Sequence, residues 1–276
     1  MTASLHRRCT RIVVSALFSL GVIMSLQTSV RAGDAREWYI FGNNKSAQGR
    51  YEEAVEYYDK AIAADPGFAH AWNNKGNALS ILKRYNEALE CFGKVLEINR
   101  DDVHALSGRA NVFTQLNRND EALESIDRAL AVEAKHDYIW FNKANILFNM
   151  KRHDAALDAY GKAVEINPNF VNAMLGKASA LSALKRYDEA LECYDQAIEV
   201  AGPEVIASFY EKATLLNQLN RYEEALEHYD MVIQLEPSFD DAWHEKARML
   251  EKLGRDGEAR ECLKEHEEVN SGHHGG

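Results

Sequence analysis

The sequence predicts an all-α protein built as a row of seven helical hairpins, and three observations predict it. A 34-residue unit recurs from Ala35 to the end of the chain, apolar residues in each second half return at three- and four-residue intervals, and all four prolines fall between units. Short, directional linkers follow from those prolines, Pro66, Pro168, Pro203 and Pro237, because proline lacks the N–H needed to prolong a helix.

The chain opens differently. Residues 1–32 run from a basic front (His6, Arg7, Arg8, Arg11) through the apolar stretch Ile12 to Leu26 to Val30-Arg31-Ala32, with small or modest side chains before Gly33. This is the three-part order of a secretory signal, and export to a secreted or periplasmic location is the expectation. The alternative is an uncleaved anchor with the repeats outside the cytoplasm, since the interval Ile12 to Val30 approaches the roughly 20 residues of a spanning helix.

The repeat array is expected over 35–270, with units starting at 35, 69, 103, 137, 171, 206 and 240 and a disordered tail at 271–276. One extra residue near Gly202-Pro203 interrupts the register. Gly42, Gly76 and five alanines hold one slot in the first helix, where a minimal side chain lets two helices approach. Ala54, Ala88, Ala190 and Ala225 mark a second small slot across the turn. Trp38, Trp72, Trp140 and Trp243 share a slot near the start of the first helix, and their size and regularity predict that they seal the boundary between neighbouring units.

The third unit departs from this pattern with Leu106 in place of Trp and Asn119 in place of Tyr, which predicts a less tightly filled edge. The seventh carries Arg260, His266 and Glu267 in slots that are mostly aliphatic elsewhere, which predicts a polar cap.

Trp at the opening, Gly or Ala four residues later, Tyr before E-E-A or D-E-A, an aromatic, then Ala and a closing Pro, as in YEEAVEYYDKAIAADP, resembles the tetratricopeptide repeat. The resemblance implies a right-handed superhelical solenoid with first helices on the concave side, and a non-catalytic role in binding a protein or peptide. The alternative role is an assembly scaffold that holds folded domains on convex or terminal surfaces.

Composition narrows the partners. Acidic residues outnumber basic ones 43 to 32, and four of the arginines precede Gly33, so the repeat body is strongly acidic. Nucleic acid is therefore an unsuitable partner, and partners with basic segments are favoured. A membrane enters only through an uncleaved N-terminal segment. No phosphate loop, serine elbow or closed metal-ligand spacing is present in the sequence, so no enzyme activity, cofactor or metal is expected. Cys91, Cys193 and Cys262 fall in separate units at the same slot and are expected to be unpaired.

The candidate site lies in the first helices. Asn43, Asn77, Asn111 and Asn145 recur every 34 residues directly after the small slot, continued by Ser179 and Thr214. Turned about 100° from the packing residue, they form a row of short donor–acceptor side chains suited to the backbone of an extended peptide. Asn74 and Asn142 add donors one turn earlier, and Tyr39, Phe141 and Tyr210 add apolar contact. The row resembles the asparagine rows of some tetratricopeptide proteins; the other reading is solvated survivors of a duplicated unit. The carboxylate clamp of chaperone-binding relatives is matched at Asn43 and Asn74 only, with Tyr39, His104 and Gly108 at its basic positions.

Overall fold

The computed structural model describes residues 35–202 and 206–272, so the segment 1–32, Pro203 and the end 273–276 lie outside the described residues. Helices are the only regular secondary structure among the described residues. Helix α1 spans 35–47. It is followed by α2 (Tyr51–Ala64), α3 (Ala69–Ile81), α4 (Tyr85–Ile98), α5 (Val103–Gln115), α6 (Asn119–Val132) and α7 (Asp137–Asn149). Then come α8 (His153–Ile166), α9 (Val171–Ala183), α10 (Tyr187–Ala201), α11 (Ile206–Gln218), α12 (Tyr222–Leu235), α13 (Asp240–Lys252) and α14 (Asp256–Gly272). Odd-numbered helices are first helices of a hairpin and even-numbered ones second helices. The chain divides into two compact bodies, one ending at Glu133 and carrying α1 to α6, the other starting at Ala134 and carrying α7 to α14.

Every hairpin turns in the same way. One residue takes positive φ: Gly49, Lys83, Asn117, Lys151, Lys185, Asn220 and Gly254, all between 57° and 73°. A left-handed residue directly after a helix is the usual helix-ending device, because it lets the next N–H return to a carbonyl of the last turn. The arginine that follows does so here: Arg84 N donates to Leu79 O at 2.8 Å, Arg118 N to Phe113 O at 2.8 Å and Arg186 N to Leu181 O at 2.9 Å.

The small first-helix slot makes room for a ring. A Cβ placed on Gly42 would lie 2.5 Å from the Tyr58 ring, and one on Gly76 would lie 2.9 Å from the Phe92 ring. Phe92 is wedged against a second glycine, Gly108 of α5, with a Cβ there 2.6 Å from the ring. Such distances are below any van der Waals contact, so the glycines are what admit these rings to the core. Around them Ala54, Ala88, Ala190 and Ala225 are completely buried.

The tryptophans close the linkers by a directed bond as well as by bulk. Trp72 Nε1–H donates to Pro66 O at 3.0 Å, Trp140 to Ala134 O at 2.8 Å and Trp243 to Pro237 O at 2.9 Å, each reaching back to the preceding linker. Trp38 instead stacks on Tyr57, ring centroids 5.8 Å apart, with the Lys60 ammonium 5.0 Å from its centroid.

Two expectations need correction. Leu106 is fully buried and the Asp102 side chain caps α5 by accepting from Ala105 N at 2.9 Å, so the edge of the third repeat is filled. His266 belongs to the interior side of α14, 7% exposed, stacked on Trp243 and bonded to the Asp240 carboxylate at 2.8 Å. Only Arg260 and Glu267 of that trio face outward. Helix α14 itself continues to Gly272.

Candidate functional site

The asparagines do not share one environment, and the difference comes from a residue fifteen positions later. In the first repeat Tyr58 donates its hydroxyl to Asn43 Oδ1 at 2.9 Å, and Asn74 Nδ2 of the next first helix donates to the same oxygen at 2.8 Å and to Tyr39 Oη at 3.1 Å. In the fourth repeat Tyr160 donates to Asn145 Oδ1 at 2.5 Å. Both asparagines are half-buried. In the second and third repeats the hydroxyl-bearing position is Phe92 or Ile126, so no hydroxyl is available. Asn77 and Asn111 are exposed there, and neither carboxamide has a hydrogen bond among the described residues.

The row continues with hydroxyls that are spent on their own helices, Ser179 Oγ on Leu175 O at 3.0 Å and Thr214 Oγ1 on Tyr210 O at 2.9 Å. Asn142 is half-buried on α7.

Tyr39, Phe141 and Tyr210 stand in matching aromatic triads. Tyr39 packs 6.1 Å from Tyr58 and 5.0 Å from Phe68, Phe141 packs 6.0 Å from Tyr160 and 5.0 Å from Phe170, and Tyr210 packs 5.9 Å from Tyr229 and 5.1 Å from Phe239. Each triad joins a first helix, its second helix and the closing linker phenylalanine. Burial pushes the Tyr160 and Tyr229 hydroxyls up to about 12.

Within the N-terminal body the free positions line up. Asn73, Asn77 and Ile81 follow one another by one helical turn on α3, and Ser107, Asn111 and Gln115 do so on α5. Ile81 is 55% exposed, and Asn73 Oδ1 is buried without a partner. Neither Ile81 nor Asn73 was legible from the repeat pattern as a site residue. The signal for Ile81 is that its slot holds Ala47, Gln115 and Asn149 in other repeats, so an aliphatic there is a local departure.

Cys91, Cys193 and Cys262 are free and buried, and burial pushes the Cys91 thiol up to about 11, away from a reactive thiolate. Among the described residues no group of three His, Cys, Asp or Glu is placed to hold a metal, and no helix is long and apolar enough to cross a membrane. The two amide positions of a carboxylate clamp, Asn43 and Asn74, are bonded to each other.

Tetratricopeptide repeat models match residues 69–102 and 138–170, 170–235 and 210–271, and a further TPR repeat model matches 42–81. The chain belongs to the tetratricopeptide repeat family. Among solved tetratricopeptide repeat structures it is similar to one from Parabacteroides merdae ATCC 43184, at 18% identity and a TM-score of 0.66 over 86% of this chain and 93% of that one. The Pseudomonas aeruginosa protein pilF matches at 19% identity and a TM-score of 0.65, covering 79% of this chain and 99% of its own. YrrB, described as a TPR protein with an unusual peptide-binding site, matches at 26% identity and a TM-score of 0.54, over 70% of this chain and 98% of YrrB. No curated protein matches the sequence. A tetratricopeptide repeat array is a protein-interaction module.

Proposed function

We infer that this protein is a non-catalytic module that holds an extended segment of a partner protein against the first helices of its N-terminal body, through Asn77 and Asn111. The observation that carries this reading is the contrast between those two exposed, unbonded carboxamides and Asn43 and Asn145, which tyrosine hydroxyls occupy. A carboxamide offers both donor and acceptor, and the free edge of an extended backbone presents both in alternation. Packed helices lie roughly 8–10 Å apart, about the span of three extended residues, so one segment reaches both amides. Ile81 supplies apolar contact beside Asn77, and the acidic body favours partners with basic residues within about 8 Å. The likeness to YrrB, whose description names a peptide-binding site, supports the same class of ligand.

The order of basic, apolar and small residues over 1–32 supports action outside the cytoplasm, released or tethered. N-terminal sequencing of native protein tests this: a start near Gly33 or membrane retention supports it, and an intact Met1 in a soluble cytosolic pool rejects it. A scaffold for folded domains is the second reading, favoured by aliphatics exposed at the last turn of second helices, Ile98 at 49%, Val132 at 48% and Val200 at 41%.

The deciding experiment is capture of the partner by the native array, then titration against Asn77→Ala with Asn111→Ala. Affinity should fall by roughly 1 to 3 kcal/mol in total with melting unchanged, since an exposed Asn in a helix contributes little to stability. Unchanged affinity rejects the asparagine mechanism and moves the partner to the second-helix or terminal surfaces.

A further inference from the structure

The junctions between repeats carry a recurring set of four charges, complete at three of the six and one acid short at the others, where Gly93, Ala155 and Gly161 stand. Between the first and second repeats, Lys75 Nζ lies 2.6 Å from Asp59, and Arg84 holds Glu87 at 2.6 Å. Between the fifth and sixth, Lys212 lies 2.5 Å from Asp195 beside the pair Arg221–Glu224 at 2.6 Å. Between the sixth and seventh, Lys246 lies 2.7 Å from Asp230 beside Arg255–Glu258. Two cations thus meet two anions each time, and the lysine is kept only 14 to 22% exposed by its neighbours.

Glycine replaces the aspartate twice. At the second junction Gly93 faces Arg109, which is rehoused: its Nε donates to Ser125 Oγ at 3.1 Å and its guanidinium lies 5.9 Å from the Phe113 centroid. At the α8–α9–α10 junction Gly161 stands in the aspartate slot, and nothing rehouses Lys177. It is half-buried, Arg186 pairs with Glu189 at 2.6 Å, and Lys177 acts on that carboxylate only from beyond ion-pair range, with no carboxylate inside that range among the described residues. The set is therefore one negative charge short. Space matches charge, because a Cβ on Gly161 would meet nothing within 4 Å, and the groove there encloses about 450 Å³.

We propose that this groove is a second binding site, in which an aspartate or glutamate side chain of a partner polypeptide takes the place of the missing repeat aspartate and pairs with Lys177. The rest of the groove sets the flanks of that partner. Four carboxylates line it, Asp158, Glu165, Glu189 and Glu192, and outnumber its three cations, so a chain with several acids is repelled and one acidic residue between basic ones fits. The site lies between second helices α8 and α10, on a different body from Asn77 and Asn111, and does not depend on them.

The test uses the full chain and a lysine-rich peptide with one central aspartate, compared with the same peptide carrying asparagine, and NMR titration reads the Gly161 and Lys177 resonances. The aspartate peptide should bind roughly three- to fivefold more tightly, the scale of one partly exposed ion pair. Gly161→Asp restores the fourth charge from within the chain and should abolish that preference, as should Lys177→Gln. Gly161→Asp should also melt no lower than the native chain, since an interior helical glycine is replaced. Equal binding of the two peptides, or a preference that survives Gly161→Asp in a folded protein, overturns the proposal. Acetate reproducing the same shifts at the same concentration overturns the assignment to a polypeptide.

Discussion

Asn43 and Tyr58, fifteen residues apart, are joined by a hydroxyl-to-carboxamide bond of 2.9 Å across the two helices of one hairpin. One repeat later the same two slots hold Asn77 and Phe92, and the bond has no donor.

Asn43→Ala and Asn77→Ala should therefore differ in stability although they delete the same side chain from the same slot. The first removes the acceptor of the Tyr58 hydroxyl and one of the two acceptors of the Asn74 amide and should cost about 1–3 kcal/mol; the second should change stability by less than about 0.5 kcal/mol. Denaturant unfolding of both variants measures the difference. Equal effects would show that the tyrosine bond contributes nothing.

Glycines of this chain should respond in opposite directions to alanine. At Gly76 a methyl meets the Phe92 ring at 2.9 Å, and Gly76→Ala should destabilise by about 1–3 kcal/mol. At Gly93, in the interior of α4, it meets nothing within 4 Å, and Gly93→Ala should stabilise by about 0.5–1 kcal/mol. Thermal melts of the two variants should move to either side of the native value.

Trp72→Phe keeps an aromatic ring but removes the indole donor to Pro66 O. It should cost about 0.5–1.5 kcal/mol for the hydrogen bond, plus the packing of the smaller ring. Trp38→Phe, which breaks no linker bond among the described residues, should cost less. Paired unfolding curves decide it; equal losses would mean that bulk alone closes the linkers.

The buried tyrosines set an alkaline limit. Tyr160, Tyr194 and Tyr229 are pushed up to about 12 by burial, against an ordinary 10.0. The folded state holds those protons more tightly than the unfolded one, so their contribution is complete below pH 10 and is lost as pH rises from there towards 12. Tyrosinate absorbance and helicity should change together in that window. Ionisation of all tyrosines near their ordinary value with helicity intact would contradict the burial.

The carboxylates act at the other end. Glu87, Glu189, Glu224 and Glu258 are held below the ordinary carboxylate range chiefly by hydrogen bonds from Arg84, Arg186, Arg221 and Arg255. What they add to stability is present above that range and disappears as pH falls through their lowered values, so acid unfolding should begin below it.

The hairpins were legible because a 34-residue spacing survives seven times, and a small slot, a ring slot and a tryptophan slot recur with it. The tryptophan bond to the linker carbonyl was not, since one-dimensional spacing marks size and carries no donor direction. The division of the asparagines was written in the sequence as Tyr58, Phe92, Ile126 and Tyr160. It becomes readable only once the helices are known to set each asparagine opposite the residue fifteen positions on. Tyr39, Phe141 and Tyr210 occupy one register as aromatic residues should, yet that register is shared by surface and triad, and only the linker phenylalanines Phe68, Phe170 and Phe239 decide between them. His266 shows the same limit, because a titratable residue in an aliphatic slot reads as solvent-facing until Trp243 and Asp240 are seen to enclose it.

The indole bonds also make the chain mechanically uneven. The linkers entering α3, α7 and α13 are each stapled by a tryptophan, whereas Leu106 and Met174 begin α5 and α9 with side chains that have no donor to give. Within each body, stretching should open the unstapled linkers before α5 and α9 at lower force than the stapled linkers before α3 and α13, in discrete steps the size of whole hairpins.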